Sequence, residues 1–291
     1  MEDKREQLEC DESTCGTQDK CAGCSKNPKA DPQSLQVPTN PMNNIRKVIA
    51  VVSGKGGVGK SMVTGLMATG MKNRGYNVAI LDADITGPSI PMMFGVHDKA
   101  EGTEMGILPS RSADGMDLMS INLLLEEEDQ PVIWRGPVLS GVVKQFWTDV
   151  LWGNLDVLFI DMPPGTGDVP LTVFQSIPVD GIIVVTSPQE LVGMIVKKAT
   201  NMARMMNIPI LGLVENMSYL PCPDCGKKIS IFGESHTQEA ADAAGVPLLA
   251  QLPIDPSKAA LADAGKIGEA QVEDILSGAL DAVNEMLKPV K

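Results

Sequence analysis

The chain has 291 residues, 43% hydrophobic and 21% charged, which is enough apolar surface for a packed core and too much for a disordered chain. A net charge of −13 argues against nucleic acid and anionic membrane as partners, since both repel an acidic surface. No apolar run approaches the roughly 18 residues that span a bilayer. The opening Met1-Glu2-Asp3-Lys4-Arg5-Glu6 lacks the apolar stretch of a secretion signal, so a cytoplasmic protein is expected.

In chain order, residues 1–30 are polar and hold Cys10, Cys15, Cys21 and Cys24, a segment that needs a staple to fold. Residues 31–44, with Pro32, Pro38 and Pro41, read as a linker, and residues 45–291 as one domain. Within that domain, short β-branched runs predict strands at Val48–Val52, Val78–Leu81, Asp156–Ile160, Ile182–Val185 and Ile210–Val214, with another ending at Pro253-Ile254-Asp255. They do not alternate apolar with polar residues, so burial on both faces is expected, as in a parallel sheet. Helical patterns separate them at Lys60–Asn73, Gly136–Val150, Gln189–Met206 and Glu239–Ala244, and a last one covers Val272–Leu287. This alternation predicts an α/β fold with a doubly wound, mostly parallel sheet, its ligands beyond the carboxyl ends of the strands. Aromatics are only 3%, so the core is aliphatic, with 17 Met as filler.

The motifs fall at those strand ends. Gly54-Lys55-Gly56-Gly57-Val58-Gly59-Lys60-Ser61 matches G-x-x-x-x-G-K-[ST], a loop whose backbone N–H groups curl around phosphates ahead of a helix N-terminus. Lys60 is expected on the β- and γ-phosphates, Ser61 on Mg²⁺, and Met62 directly behind the loop. Asp161 reads as the Walker-B carboxylate, holding Mg²⁺ directly or through water. Asp84 is expected to orient the attacking water and Asp82 to support the metal shell, although the motif alone leaves the division between them open. No N-K-x-D guanine-reading motif follows the late strands. Instead Asn216, Pro253 and Asp255 are expected at the base, which favours ATP.

Six cysteines in a reducing compartment read as metal ligands rather than disulfides. Cys222-Pro223-Asp224-Cys225 supplies two ligands of a four-ligand site, so either iron–sulfur or zinc implies a second subunit. Cys10, Cys15, Cys21 and Cys24 can wrap one 4Fe–4S cluster or one Zn²⁺. His97 and His236 stand in no ligand spacing, and Arg135 reads as a structural ion pair rather than a finger on phosphate.

Five stretches in this order carry a specific resemblance: the loop 53–61, Asp82-Ala83-Asp84-Ile85-Thr86-Gly87-Pro88-Ser89, Trp134-Arg135-Gly136-Pro137, Asp161-Met162-Pro163-Pro164-Gly165-Thr166-Gly167-Asp168, and Glu215-Asn216-Met217-Ser218 followed by Cys222 and Cys225. From about Arg46 to Leu287 the chain resembles the Mrp/ApbC iron–sulfur carriers, relatives of MinD and of the nitrogenase iron protein. The resemblance implies a homodimeric, slow ATPase that holds a labile 4Fe–4S cluster and passes it to apo iron–sulfur client proteins. It implies that Cys222 and Cys225 of two subunits bridge that cluster, and that Lys55 is the signature lysine reaching the partner's nucleotide. The N-terminal cysteines resemble the ferredoxin-like segment of a longer branch of the family, with the close pair last instead of earlier. Two other readings compete. A MinD- or ParA-like membrane or DNA switch calls for a basic terminal helix, where this one is acidic, and a metallochaperone NTPase calls for His-rich tracts, where this chain has two His.

Overall fold

The computed structural model describes residues 35–85, 87–125, 136–165, 167–188 and 192–288. The cysteines of segment 1–30, Arg135 and the expected helix start at Gln189 lie outside them. From Val37 to Asn43 the chain runs along the domain. Val37 donates its N–H to the Ser176 carbonyl (2.9 Å), and its own carbonyl accepts from Trp147 Nε1 (2.9 Å).

The first strand, β1 (Asn44–Ser53), leads through the glycine-rich loop into α1 (Lys60–Asn73) and then β2 (Val78–Asp82). A short α2 (Ile90–Met93) follows, then four small strands: β3 (Glu101–Thr103), β4 (Gly106–Leu108), β5 (Ser110–Arg111) and β6 (Asp117–Met119). The regular alternation resumes with α3 (Gly136–Thr148), β7 (Asn154–Asp161), α4 (Asp168–Ser176), β8 (Gly181–Thr186) and α5 (Val192–Met205). Next come β9 (Ile210–Pro221), β10 (Lys228–Ile229), α6 (Thr237–Ala244) and β11 (Leu248–Pro253). Two helices, α7 (Pro256–Asp263) and α8 (Glu273–Leu287), close the chain.

Among the described residues the main sheet runs β10-β9-β8-β1-β7-β2-β6-β5, with β11 also paired to β9. Within this sheet only β5 on β6 and β10 on β9 are antiparallel, and β3 and β4 pair antiparallel in a separate two-stranded sheet. The expected doubly wound sheet is therefore present, with small antiparallel pieces that periodicity did not predict because each is only two or three residues long.

Alternate residues of β1 enter opposite layers. Val48, Ala50 and Val52 pack with Val143 and Phe146 of α3, Val173 of α4 and Val196 of α5. Ile49 and Val51 pack with Val63, Leu66 and Met67 of α1 and Leu276 and Leu280 of α8. Two-sided burial explains the unbroken apolar strands.

One strand differs in a way that matters. Instead of ending near Val214, β9 continues to Pro221 through an irregularity. Gln251 of β11 faces Glu215 and Pro253 faces Tyr219, so four residues of β9 advance against two of β11. Met217, inside this bulge, has φ 57. Alternation cannot signal such a bulge, because its register depends on the neighbouring strand.

Candidate functional site

Strand order places the site. The chain leaves β1 for β2 on one side and returns to β8 on the other, so the carboxyl end of β1 opens at a switch in winding direction. The loop there ends at Gly59, whose φ of 76 caps α1. A Cβ at Gly59 would stand 2.2 Å from Asn216 Nδ2, so both the backbone angle and the close approach require glycine.

Lys60, Ser61, Thr64 and Asp161 form one cluster at the base of this loop. Lys60 Nζ lies 2.8 Å from Asp161 Oδ1 and 3.7 Å from Asp84 Oδ2. The Ser61 hydroxyl donates to Asp161 Oδ2 at 2.5 Å, and the Thr64 hydroxyl to Oδ1 at 2.8 Å. Asp161 is fully buried, and these partners answer its desolvation cost. Thr64 was missed by motif reading, although it stands one helical turn after Lys60 and hence on the same face.

Asp82 pairs with Asp161 across the β2–β7 ladder and is also fully buried. Its carboxylate accepts the backbone N–H groups of Asp84 (3.1 Å), Ser89 (3.1 Å) and Ile90 (3.2 Å), and so fastens the loop that carries Asp84. Burial, followed by the adjacent Asp161 charge, pushes its pKa up to about 8 against the pull of Lys60. Asp84, rather than Asp82, faces the cavity.

Among the described residues, two cavities meet at the Gly59–Met62 end of this loop. One of about 250 Å³ is lined by Lys55 through Met62 together with Asp84, Ser89 and Pro164. The other, about 260 Å³ and mostly apolar, is lined by Gly59, Met62, Asn216, Met217, Pro253, Asp255, Lys258 and Ile275 among others. Gly59 and Met62 therefore wall both. The Asn216 amide donates to the Val58 carbonyl at 3.0 Å, which ties β9 to the loop. Asp255 caps α7 through the Ser257 N–H (2.9 Å) and meets Lys258 Nζ at 2.6 Å. Those contacts, led by Lys258, hold its pKa at about 2. Lys55 and Gly54 also line a third cavity of about 350 Å³, with Met194, Ile195 and Lys198 of α5.

Cys222 and Cys225 stand apart from these cavities, in the turn between β9 and β10. The Cys222 N–H donates to the Lys227 carbonyl (2.9 Å) and the Gly226 N–H to the Cys222 carbonyl (2.8 Å). The backbone N–H groups of Cys225 and Asp224 approach the Cys222 sulfur, which with the Cys225 side chain lowers the Cys222 pKa below the ordinary thiol range. Cys225 is exposed. Among the described residues no three or more His, Cys, Asp or Glu gather as a metal site, and the pair offers two sulfur ligands.

Family comparison agrees with this geometry. The ParA model, described as NUBPL iron-transfer P-loop NTPase, matches residues 44–290. The chain belongs to this family. It is 45% identical over 276 residues to the iron-sulfur cluster carrier protein of Clostridium perfringens (strain 13 / Type A), covering 91% of this chain and 95% of that protein. A solved structure of the nucleotide-binding protein from Archaeoglobus fulgidus in complex with ADP is 41% identical, with a TM-score of 0.71 over 78% of this chain and 89% of that one. The cell division ATPase MinD of Pyrococcus furiosus, 20% identical with a TM-score of 0.54 over 82% and 99% of the two chains, shares the fold.

Proposed function

We propose that this P-loop NTPase is an ATP-dependent carrier that holds a 4Fe–4S cluster as cargo between two copies of the chain and delivers it to apo iron–sulfur clients. The observation that carries the proposal is that β9 bears both Asn216, at the wall of the apolar cavity, and, past its last residue, the Cys222–Cys225 pair. Two thiolates per chain fall short of the four a cluster takes, so a bridging site draws two from each copy. A cluster held at an exposed turn is easier to hand over than an enclosed one. The likeness to iron-sulfur cluster carrier proteins supports the same reading.

In this reading ATP lies with its phosphates along the loop and its base in the cavity walled by Asn216, Pro253 and Asp255. Lys60 exchanges its contact with Asp161 for oxygens of the β- and γ-phosphates and balances charge as the terminal phosphoryl group departs. Asp84, on the rim, orients the water that attacks the γ-phosphorus. Ser61 and Asp161 are hard oxygen donors 2.5 Å apart beside the phosphate cavity, a set suited to Mg²⁺, which when bound neutralises phosphate charge. Lys55 is assigned to the nucleotide of the second copy. Segment 1–30 is assigned a separate metal centre, 4Fe–4S or Zn²⁺, joined by residues 31–44 to the NTPase domain.

No helix among the described residues is long and apolar enough to cross a membrane. The acidic residues Glu273, Asp274, Asp281 and Glu285 along α8 give no support to a membrane- or DNA-binding switch. The test is iron and sulfide content, with spectroscopy, of anaerobically reconstituted full-length protein against its Cys222→Ala/Cys225→Ala variant. Loss of the bridging cluster and of transfer to an apo-acceptor, with ATP binding kept, is expected. Undiminished transfer by the variant would overturn the carrier site.

A further inference from the structure

Glu215 is a fully buried carboxylate with no part in the phosphate chemistry described above. It accepts four hydrogen bonds from three separate parts of the chain. Ser218 Oγ donates from beyond the bulge at 2.6 Å, and Gln251 Nε2 from β11 at 2.8 Å. The hydroxyls of Ser235 and Thr237 also donate to it. Burial alone would raise the Glu215 pKa, but the donors outweigh it and hold the group below the ordinary glutamate range. Such a carboxylate is expensive to bury, and removing one partner strands the rest.

The placement of these partners is informative. Ser218 precedes Cys222 by four residues and Ser235 follows Cys225 by ten, so Glu215 gathers both ends of the thiol-bearing loop. Its neighbour Asn216 bonds the phosphate loop at Val58, and Met217 walls the apolar cavity. Met217 is held in the left-handed region, which is costly for a side chain of its size and persists only where the surroundings impose it. The imposing contacts are Asn216 on one side and the Ser218–Glu215 bond on the other.

We propose that Glu215 is a positioning residue that couples nucleotide occupancy to the setting of the Cys222–Cys225 pair, through the bulge at 216–218 and the Ser218 and Ser235 anchors. This rests on the nucleotide reading of the cavity given above. A nucleotide that presses on Asn216 or Met217 shifts the bulge, and Glu215 carries the shift to both ends of the loop. Cargo affinity then depends on nucleotide state without any contact between the two.

The test is the alkylation rate of Cys222 and Cys225 in the full-length, metal-free, reduced protein, read peptide by peptide by mass spectrometry. It is measured alone, with Mg-ADP, and with a non-hydrolysable Mg-ATP analogue. In the wild type nucleotide is expected to change the rate about fivefold or more, the scale of ordinary coupling between sites. Glu215→Gln and Ser235→Ala should lose that dependence, while Ser235→Thr, which keeps the hydroxyl, restores it. Nucleotide affinity is measured in parallel and is expected to be retained in Ser235→Ala. A merely structural Glu215 would change all rates equally and leave the nucleotide dependence intact. A wild type whose thiols ignore bound nucleotide, or a Ser235→Ala protein that responds as the wild type does, overturns the proposal. Should Glu215→Gln not fold, the Ser235 pair decides. The assay needs no cluster, so failure of the carrier reading in iron and transfer measurements is separate from failure here.

Discussion

Gly59→Ala probes the join between the phosphate loop and the apolar cavity, and Gly57→Ala supplies its control. Both glycines sit in the left-handed region, at φ 79 for Gly57 and 76 for Gly59, so alanine at either carries similar backbone strain. That strain is about 1–2 kcal/mol, partly offset by the stiffer unfolded chain, leaving about 1 kcal/mol. The two differ in what the new methyl meets. At Gly57 nothing stands within 4 Å, whereas at Gly59 the methyl would lie 2.2 Å from Asn216 Nδ2.

The Asn216 amide must therefore move and give up its bond to Val58. Leaving that carbonyl and amide unpaired costs a further ~1–3 kcal/mol. The expected totals are about 1 kcal/mol for Gly57→Ala and about 2–4 kcal/mol for Gly59→Ala. For a domain of this size these correspond to drops in Tm of roughly 2–4 °C and 4–16 °C. Thermal unfolding of both variants, with nucleotide affinity by titration, measures the difference. Gly59→Ala should also bind nucleotide much more weakly. Equal Tm values for the two variants, or a Gly59→Ala protein with wild-type affinity, would refute the argument from close approach.

Lys60→Ala should lower ATP hydrolysis by about 10²-fold or more, since it removes the positive charge facing the phosphoryl group; steady-state phosphate release checks this, and wild-type turnover contradicts it. Lys55→Ala should impair hydrolysis more than nucleotide binding, and mixing it with Lys60→Ala should restore some activity if the sites are completed in trans. Absence of complementation in confirmed mixed dimers counts against that role. Asp255 has a folded pKa of about 2 against the ordinary 3.8, so its contribution is complete above about pH 5, declines below that and is lost as pH falls through 2. Asp255→Ala should cost about 1–2 kcal/mol near neutral pH and only a small remainder at about pH 2, where the folded carboxyl is half protonated, read from unfolding curves at both values.

The phosphate loop, the alternation of strand and helix and the cysteine pair were legible in the sequence because each is encoded locally. A glycine spacing sets a turn, an unbroken apolar run sets a two-face-buried strand, and a close Cys pair sets a knuckle. Lys60, Ser61 and Asp161 were assigned from motif order, and they do meet in space. Other features needed the tertiary structure. That Asp82 ties down the Asp84 loop through backbone N–H groups depends on α2 folding back over β2. The bulge at 216–218 exists only against the register of β11, and the strained Met217 follows from it. Glu215 looked like one residue of a four-residue motif, because its partners Ser235, Thr237 and Gln251 lie 20, 22 and 36 positions away. Periodicity reads which face of an element is apolar. It does not read which buried carboxylate will be satisfied by which distant hydroxyl, because that pairing is set by how the strands and loops close on one another.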